Sequence, residues 1–186
     1  MKVLKFGGTS VGSAQRMKEV SRLITEDNET KIVVLSAMSG TTNSLLEISD
    51  YLYKRNPAGA IDKIAALEKK YEATVNELYT KDEFKAKGMA IIAERFNTLR
   101  EIASSTRIFS SIEERIVVAQ GELISTALVN NYLLEQGVNS VLLAALDFMR
   151  TDKNADPDMS HIKENIHKTH DANKGKQIYT TPGSIC

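Results

Sequence analysis

Apolar positions along the chain recur with two periods. Residues 2–6 hold Val3, Leu4 and Phe6 together and read as a short buried strand. Over 14–26, Met17, Val20, Leu23 and Ile24 recur at near-helical spacing, and Asp27-Asn28-Glu29 ends that helix. Lys31 to Leu35, with Ile32-Val33-Val34-Leu35 at its centre, predicts a second buried strand. Strand, helix, strand implies a parallel pair with a right-handed crossover. A helix is expected over 44–55, carrying Leu45, Leu46, Ile48 and Leu52, and Pro57 and Gly59 mark a break. Ile64, Leu67, Tyr71, Val75 and Leu78 then predict a helix over 61–78. Thr80 with Glu83 three residues on suggests a new start capped by Thr80. Phe84, Met89, Ile92, Phe96, Leu99 and Ile102 continue an apolar face to about residue 103. Segment 61–103 thus reads as a helical hairpin inserted between sheet elements, with a length that suits a lid, a dimer surface or packing.

Ser104-Ser105-Thr106 breaks the pattern, and 110–135 predicts one or two helices rich in Ile, Val, Leu and Ala. Gly137 stands at a helix stop, and Val138 to Ala144 reads as a third strand. Residues 153–159 are loop-like around Asp156-Pro157-Asp158, Ile162 and Ile166 suggest a short helix over 160–169, and Gly175 precedes a fourth strand, Gln177 to Thr181. The alternation defines an α/β chain.

Composition narrows the function classes. A chain of 186 residues can bury one real core, and 42% hydrophobic with 26% charged residues is ordinary for a globular domain. Lys plus Arg and Asp plus Glu are 24 each, so net charge gives no sign of nucleic-acid binding. No apolar run approaches the roughly 20 residues of a membrane span, and the opening is not a signal region, so a cytoplasmic location is expected. The single cysteine, Cys186, allows neither an internal disulfide nor a cysteine metal cluster. His161, His167 and His170 lie in a polar stretch without a His-Glu-x-x-His motif and read as surface histidines, with a Zn site the alternative. No metal ligand is assigned.

Candidate chemistry begins at Lys5-Phe6-Gly7-Gly8-Thr9-Ser10-Val11-Gly12. A strand running into a glycine turn and then a helix can surround an anion with backbone N–H groups. Lys5 offers a point charge to phosphate oxygens, while Thr9 and Ser10 offer hydroxyls or a helix cap. A plain structural turn is the alternative. The spacing fits neither the Lys-Ser/Thr phosphate loop nor the dinucleotide fingerprint. Ser36 to Asn43 forms a second small, hydroxyl-rich loop after a strand, where open α/β sheets place ligands. Thr42 or Asn43 can equally cap the next helix. Gly121-Glu122 interrupts an apolar helical run. Glycine there costs about 1 kcal/mol of helix propensity and permits close approach. Burying an unpaired carboxylate is costly, so Glu122 needs a partner, a cleft or the wet helix face. Arg150 suits either a carboxylate in the cleft or a surface salt bridge.

Lys5-Phe6-Gly7-Gly8-Thr9-Ser10 closely resembles the opening of aspartate kinases, members of the amino-acid kinase family. Gly121-Glu122 and the segment Asp147 to Asp152 match two further stretches of that family. The resemblance implies a three-layer α/β sandwich with a mainly parallel sheet. It implies that Lys5 stabilises the transferring phosphoryl group, that Gly7, Gly8, Thr9 and Ser10 contact phosphate, and that Ser36, Thr42 and Glu122 bind substrate. The implied partners are L-aspartate and ATP with Mg²⁺, and a second copy of the full-length chain; nucleic acid and membrane are not among them. The implied reaction moves the γ-phosphoryl of ATP to the side-chain carboxylate of L-aspartate, the first step toward lysine, threonine and methionine.

Thr181-Pro182-Gly183-Ser184-Ile185-Cys186 departs from the family's Gln-Gly-Phe-type segment, keeping the glycine alone. The resemblance makes 1–186 the N-terminal portion of an amino-acid kinase domain, a fragment that lacks most of the nucleotide site. A sheet cut at Thr181 is expected to leave an unpaired edge and apolar surface. The rival readings are a kinase for glutamate, acetylglutamate or carbamate, a non-catalytic regulatory or dimerisation module derived from a kinase, and a binding protein for small acidic metabolites.

Overall fold

Four short strands pair in parallel in the order β1-β2-β4-β3: β1 Lys2–Phe6, β2 Lys31–Leu35, β3 Ser140–Leu142 and β4 Ile178–Pro182. The structure is a computed structural model that describes residues 1–105, 108–154 and 156–183. Thr106 of the expected break, and Ser184, Ile185 and Cys186, lie outside the described residues.

Among the described residues six α-helices join the strands: α1 Ala14–Ile24, α2 Thr41–Tyr53, α3 Pro57–Leu78, α4 Asp82–Ser105, α5 Ser111–Glu135 and α6 Met159–Ala172. α1 to α5 form a thick layer on one face of the sheet. Leu4, Phe6, Val33, Leu35 and Ile178 share its core with Ile64, Tyr71, Val75, Phe96 and Leu128. The opposite face carries a smaller cluster of Leu143, Ala145, Phe148 and Tyr179, against which Ile32 and Ile166 of α6 pack. Helices therefore lie on both faces of a parallel sheet, the three-layer arrangement the resemblance implies.

Local chemistry sets most boundaries. Ser110 and Glu113 form a reciprocal capping box that starts α5, and Gly137 takes φ 76° just past its end. Asn56 caps α3 by accepting from the Gly59 N–H at 3.0 Å.

Several expectations need correction. β1 is half exposed rather than buried, because it forms one edge of the sheet; Val3 is 66% exposed. Leu23 points outward, and Ala14 and Ser21 take its place on the buried side of α1. Neither Thr42 nor Asn43 caps α2, which starts at Thr41, three residues earlier than expected, from Gly40 at φ 78°. Pro57 and Gly59 open α3 instead of breaking the chain, since a proline in the first helical turn gives up no hydrogen bond. Thr80 does not cap α4 through its side chain. The Thr80 and Lys81 N–H groups both donate to the Glu135 carboxylate, at 2.9 and 2.7 Å. β3 is shorter than expected because Ala145–Asp147 turns into a single 3-10 turn. The unpaired edge expected of the sheet is not at β4. That strand lies between β2 and β3 and is buried along its length, so the exposed edges belong to β1 and β3.

Candidate active site

The carboxyl ends of β1, β2 and β4 open on one crevice, and glycines let its walls meet. The turn after β1 is closed by Ser10 N–H donating to the Gly7 carbonyl at 2.9 Å. A Cβ on Gly8 would lie 2.8 Å from the Ala37 carbonyl oxygen, closer than side chains approach, so only glycine lets the turn rest on the loop after β2. Ser39 Oγ ties the two together by donating to the Gly8 carbonyl at 3.1 Å. Thr9 is exposed, Ser10 half-buried and Val11 fully buried as an anchor. Neither Thr9 nor Ser10 caps α1; Ser13 does, accepting from the Arg16 N–H at 3.3 Å.

The loop after β2 is held from below by α5. Gly121 permits that contact, since a Cβ there would sit 3.0 Å from both Ala37 Cβ and Thr41 Cγ2. Ser36 is half-buried, and its carbonyl accepts from Ser125 Oγ at 2.7 Å. Of the two adjacent threonines, Thr41 is fully buried and meets the Tyr71 hydroxyl at 2.9 Å, whereas Thr42 is exposed in the first turn of α2. Burial pushes the Tyr71 hydroxyl up to about 12, so it stays neutral.

Glu122 follows on α5. Its Oε2 accepts from the Gly183 N–H at 2.8 Å, which locks the exit of β4 to the helix. A Cβ on Gly183 would lie 3.8 Å from Glu122 Oε2 and 4.0 Å from Lys5 Cε, so the three residues converge at the strand ends. Lys5 is exposed, and its ammonium makes no ion pair with any described residue. Beside them lies a cleft of about 300 Å³ lined by Val34, Phe148, Met149, Thr181 and Gly183. The structure thus gathers Lys5, Gly7, Gly8, Ser36 and Glu122 around one crevice, while Thr42 faces solvent from α2.

Arg150 also lines this cleft, and the remaining candidates fall elsewhere. Arg150 pairs with Asp158 at 3.1 and 2.5 Å, and Asp158 also accepts from the His161 N–H as the cap of α6. That arginine, with the His161 N–H, holds the Asp158 carboxyl below the usual carboxylate range. His170 stacks near Tyr179, with ring centroids 5.1 Å apart. Among the described residues no three His, Cys, Asp or Glu side chains gather as a metal site. No helix among the described residues is long and apolar enough to cross a membrane.

Sequence reasoning missed Ser39, Lys70, Tyr71 and Ser125 as supports of the site. Ser125 alone carried a usable signal, three residues after Glu122 and so on the same helix face.

A strand-end lysine, two glycine-tight loops and a glycine-glutamate helix meet at the strand ends of a parallel α/β sheet, where open sheets of this kind place their ligands. The model of the amino acid kinase family matches residues 1–185, and the chain belongs to that family. It is 27% identical over 187 residues to the bifunctional aspartokinase/homoserine dehydrogenase 1 of Arabidopsis thaliana, covering 96% of this chain and 20% of the relative. It is 33% identical over 158 residues to aspartokinase 1 of the same plant, covering 81% of this chain and 26% of that one. E. coli aspartokinase III, solved in complex with aspartate and ADP, superposes with a TM-score of 0.79 at 25% identity, covering 97% of this chain and 40% of that structure. The chain thus spans well under half the length of each of these relatives.

Proposed function

We propose that this chain carries the aspartate-binding and phosphoryl-stabilising part of an aspartate kinase. Residues 1–186 are read as the N-terminal portion of its amino-acid kinase domain, with 61–103 as an inserted helical hairpin. The observation that carries this reading is the convergence of Lys5, Glu122 and Gly183 beside the Gly7–Gly8 turn. The likeness to an E. coli enzyme whose structure holds aspartate and ADP supports the choice of ligands.

In the proposed reaction a side-chain carboxylate oxygen of L-aspartate attacks the γ-phosphorus of ATP in line. The bond from that phosphorus to the bridging oxygen of ADP breaks, giving 4-phospho-L-aspartate and ADP. No general base is required, because the nucleophile is a carboxylate with an ordinary pKa of about 4. In this reading Lys5 and the N–H groups near Gly7 and Gly8 stabilise the charge that builds on the equatorial oxygens. Glu122 serves as a positioning group for the substrate ammonium. Ser36 and Thr42 also contact the substrate in this reading, Thr42 the more weakly.

Calorimetric titration of the chain with L-aspartate, beside L-glutamate and with or without Mg-ATP, tests this reading. Saturable binding selective for aspartate supports it. Equal binding of the two amino acids favours a kinase for another acidic metabolite. No binding to a folded chain counts against an aspartate site formed by these residues alone.

A further inference from the structure

The α3–α4 hairpin carries no catalytic signature in its sequence, yet two consecutive residues of α3 reach the crevice. Lys70 Nζ donates to the Ser39 carbonyl at 2.8 Å, and a Cβ on Gly40 would lie 3.9 Å from that ammonium. Its neighbour Tyr71, fully buried, meets Thr41 Oγ1 at 2.9 Å. Ser39 in turn donates from Oγ to the Gly8 carbonyl at 3.1 Å. The three contacts form a continuous path from α3, through the loop after β2, to the glycine turn after β1.

We infer that Lys70 is a positioning residue for the phosphate-binding turn, acting through Ser39. The physical ground is the strength and direction of the bonds. An ammonium bound to a carbonyl is a charge-assisted contact, stronger than a neutral one. Ser39 and Gly40 are exposed, and Gly40 takes a positive φ, so this stretch lacks the buried packing that holds Ala37 and Met38. Lys70 fixes the carbonyl side of Ser39 from α3. That leaves the Ser39 hydroxyl aimed at Gly8. Lys70 makes no ion pair with a described carboxylate, so its charge is not spent on a surface salt bridge. Tyr71 fixes the other end of the same loop at Thr41. Pinned at both ends, the loop gives the glycine turn a rigid floor, and a preorganised set of N–H groups is what charge stabilisation requires. That the turn holds a phosphoryl group rests on the function proposed above; the bracing itself does not.

Hydrogen exchange on the unliganded chain separates the two. In Lys70→Met, the amide of Ser10, held by the Gly7 carbonyl, and the amide of Thr41, held by the Met38 carbonyl, are expected to exchange at least fivefold faster. Core amides of α4 around Ile92 and Phe96 stay at their wild-type rates. Lys70→Arg, which keeps a cationic donor, restores the slow exchange. Ser39→Ala accelerates Ser10 in the same way without disturbing α3. Unchanged exchange at Ser10 in Lys70→Met overturns the inference. So does a uniform acceleration across the chain, which would mark Lys70 as a general contributor to stability. Failure of the parent chain to bind L-aspartate or Mg-ATP would remove the proposed function while leaving these rates to decide the brace.

Discussion

Leu35 and Val3 belong to adjacent strands of one sheet, yet Leu35 is fully buried and Val3 is 66% exposed. The difference follows from the two faces. On one, α1 to α5 cover the strands, and Val33, Leu35 and Ile178 are fully buried. On the other, α6 shields the β4 side through Tyr179 and Ile32, and the β1 side is left open around Val3 and Lys5. Stability is concentrated on the helical face. The residue with the strongest chemical claim, Lys5, sits where its replacement disturbs little packing.

Substitutions on the two faces can break or sharpen that contrast. The largest effect on stability is expected from Leu35→Ala, which opens a cavity under the helical layer and costs about 2–5 kcal/mol in urea unfolding. A loss below about 1 kcal/mol would mean that this face is not the principal core. Next is Lys5→Ala. Under the proposed function, and in the full-length enzyme, it lowers aspartate-dependent ADP formation about a hundredfold or more. Its stability should change by no more than about 0.5 kcal/mol, as for an exposed residue. Turnover that survives the change removes Lys5 from the mechanism.

Glu135→Ala tests a hinge within the helical layer. It leaves the Thr80 and Lys81 N–H groups without their acceptor and is expected to cost about 1–3 kcal/mol. Glu135→Gln, which keeps an acceptor oxygen, should recover most of that; equal losses in the two variants would point to charge instead of capping. Val3→Ala on the open face should stay within about 0.5 kcal/mol, and a larger loss would reveal packing that the open face does not show.

The smallest effect concerns Asp158 and pH. Its carboxyl is held below the ordinary range by Arg150 and the His161 N–H. The contribution is therefore fully present above the unfolded value near 4 and is lost as pH falls through the depressed folded value. Carboxyl NMR should show Asp158 titrating below the ordinary value in the parent and moving up toward it in Arg150→Met. An unmoved titration would show that the arginine does not act on it.

Periodicity made the order of elements legible. The strands at 2–6 and 31–35, the glycine stop at 137 and the long helix ending at Glu135 all follow from local spacing and capping chemistry. The glycines that let the crevice walls meet, Gly8 and Gly121, also stood out locally, as glycines in a turn after a strand and inside an apolar helical run. Local reasoning failed where a partner came from far along the chain. Thr80 looked like a cap, but the acceptor for its N–H is Glu135, 55 positions away. Thr41 and Thr42 are indistinguishable in sequence, and only packing against Tyr71 decides which is buried.

What the amino-acid sequence determined by itself was the set of elements and the residues able to handle an anion, since backbone propensity, capping and charge are carried by near neighbours. Only the tertiary structure decided the strand order, with β4 inside the sheet and β1 at its edge, because sheet order depends on pairing between distant segments. It also decided that Glu122 would hold Gly183 and that Lys70 would reach Ser39. Those contacts join residues 61 and 31 positions apart, and no local preference encodes them.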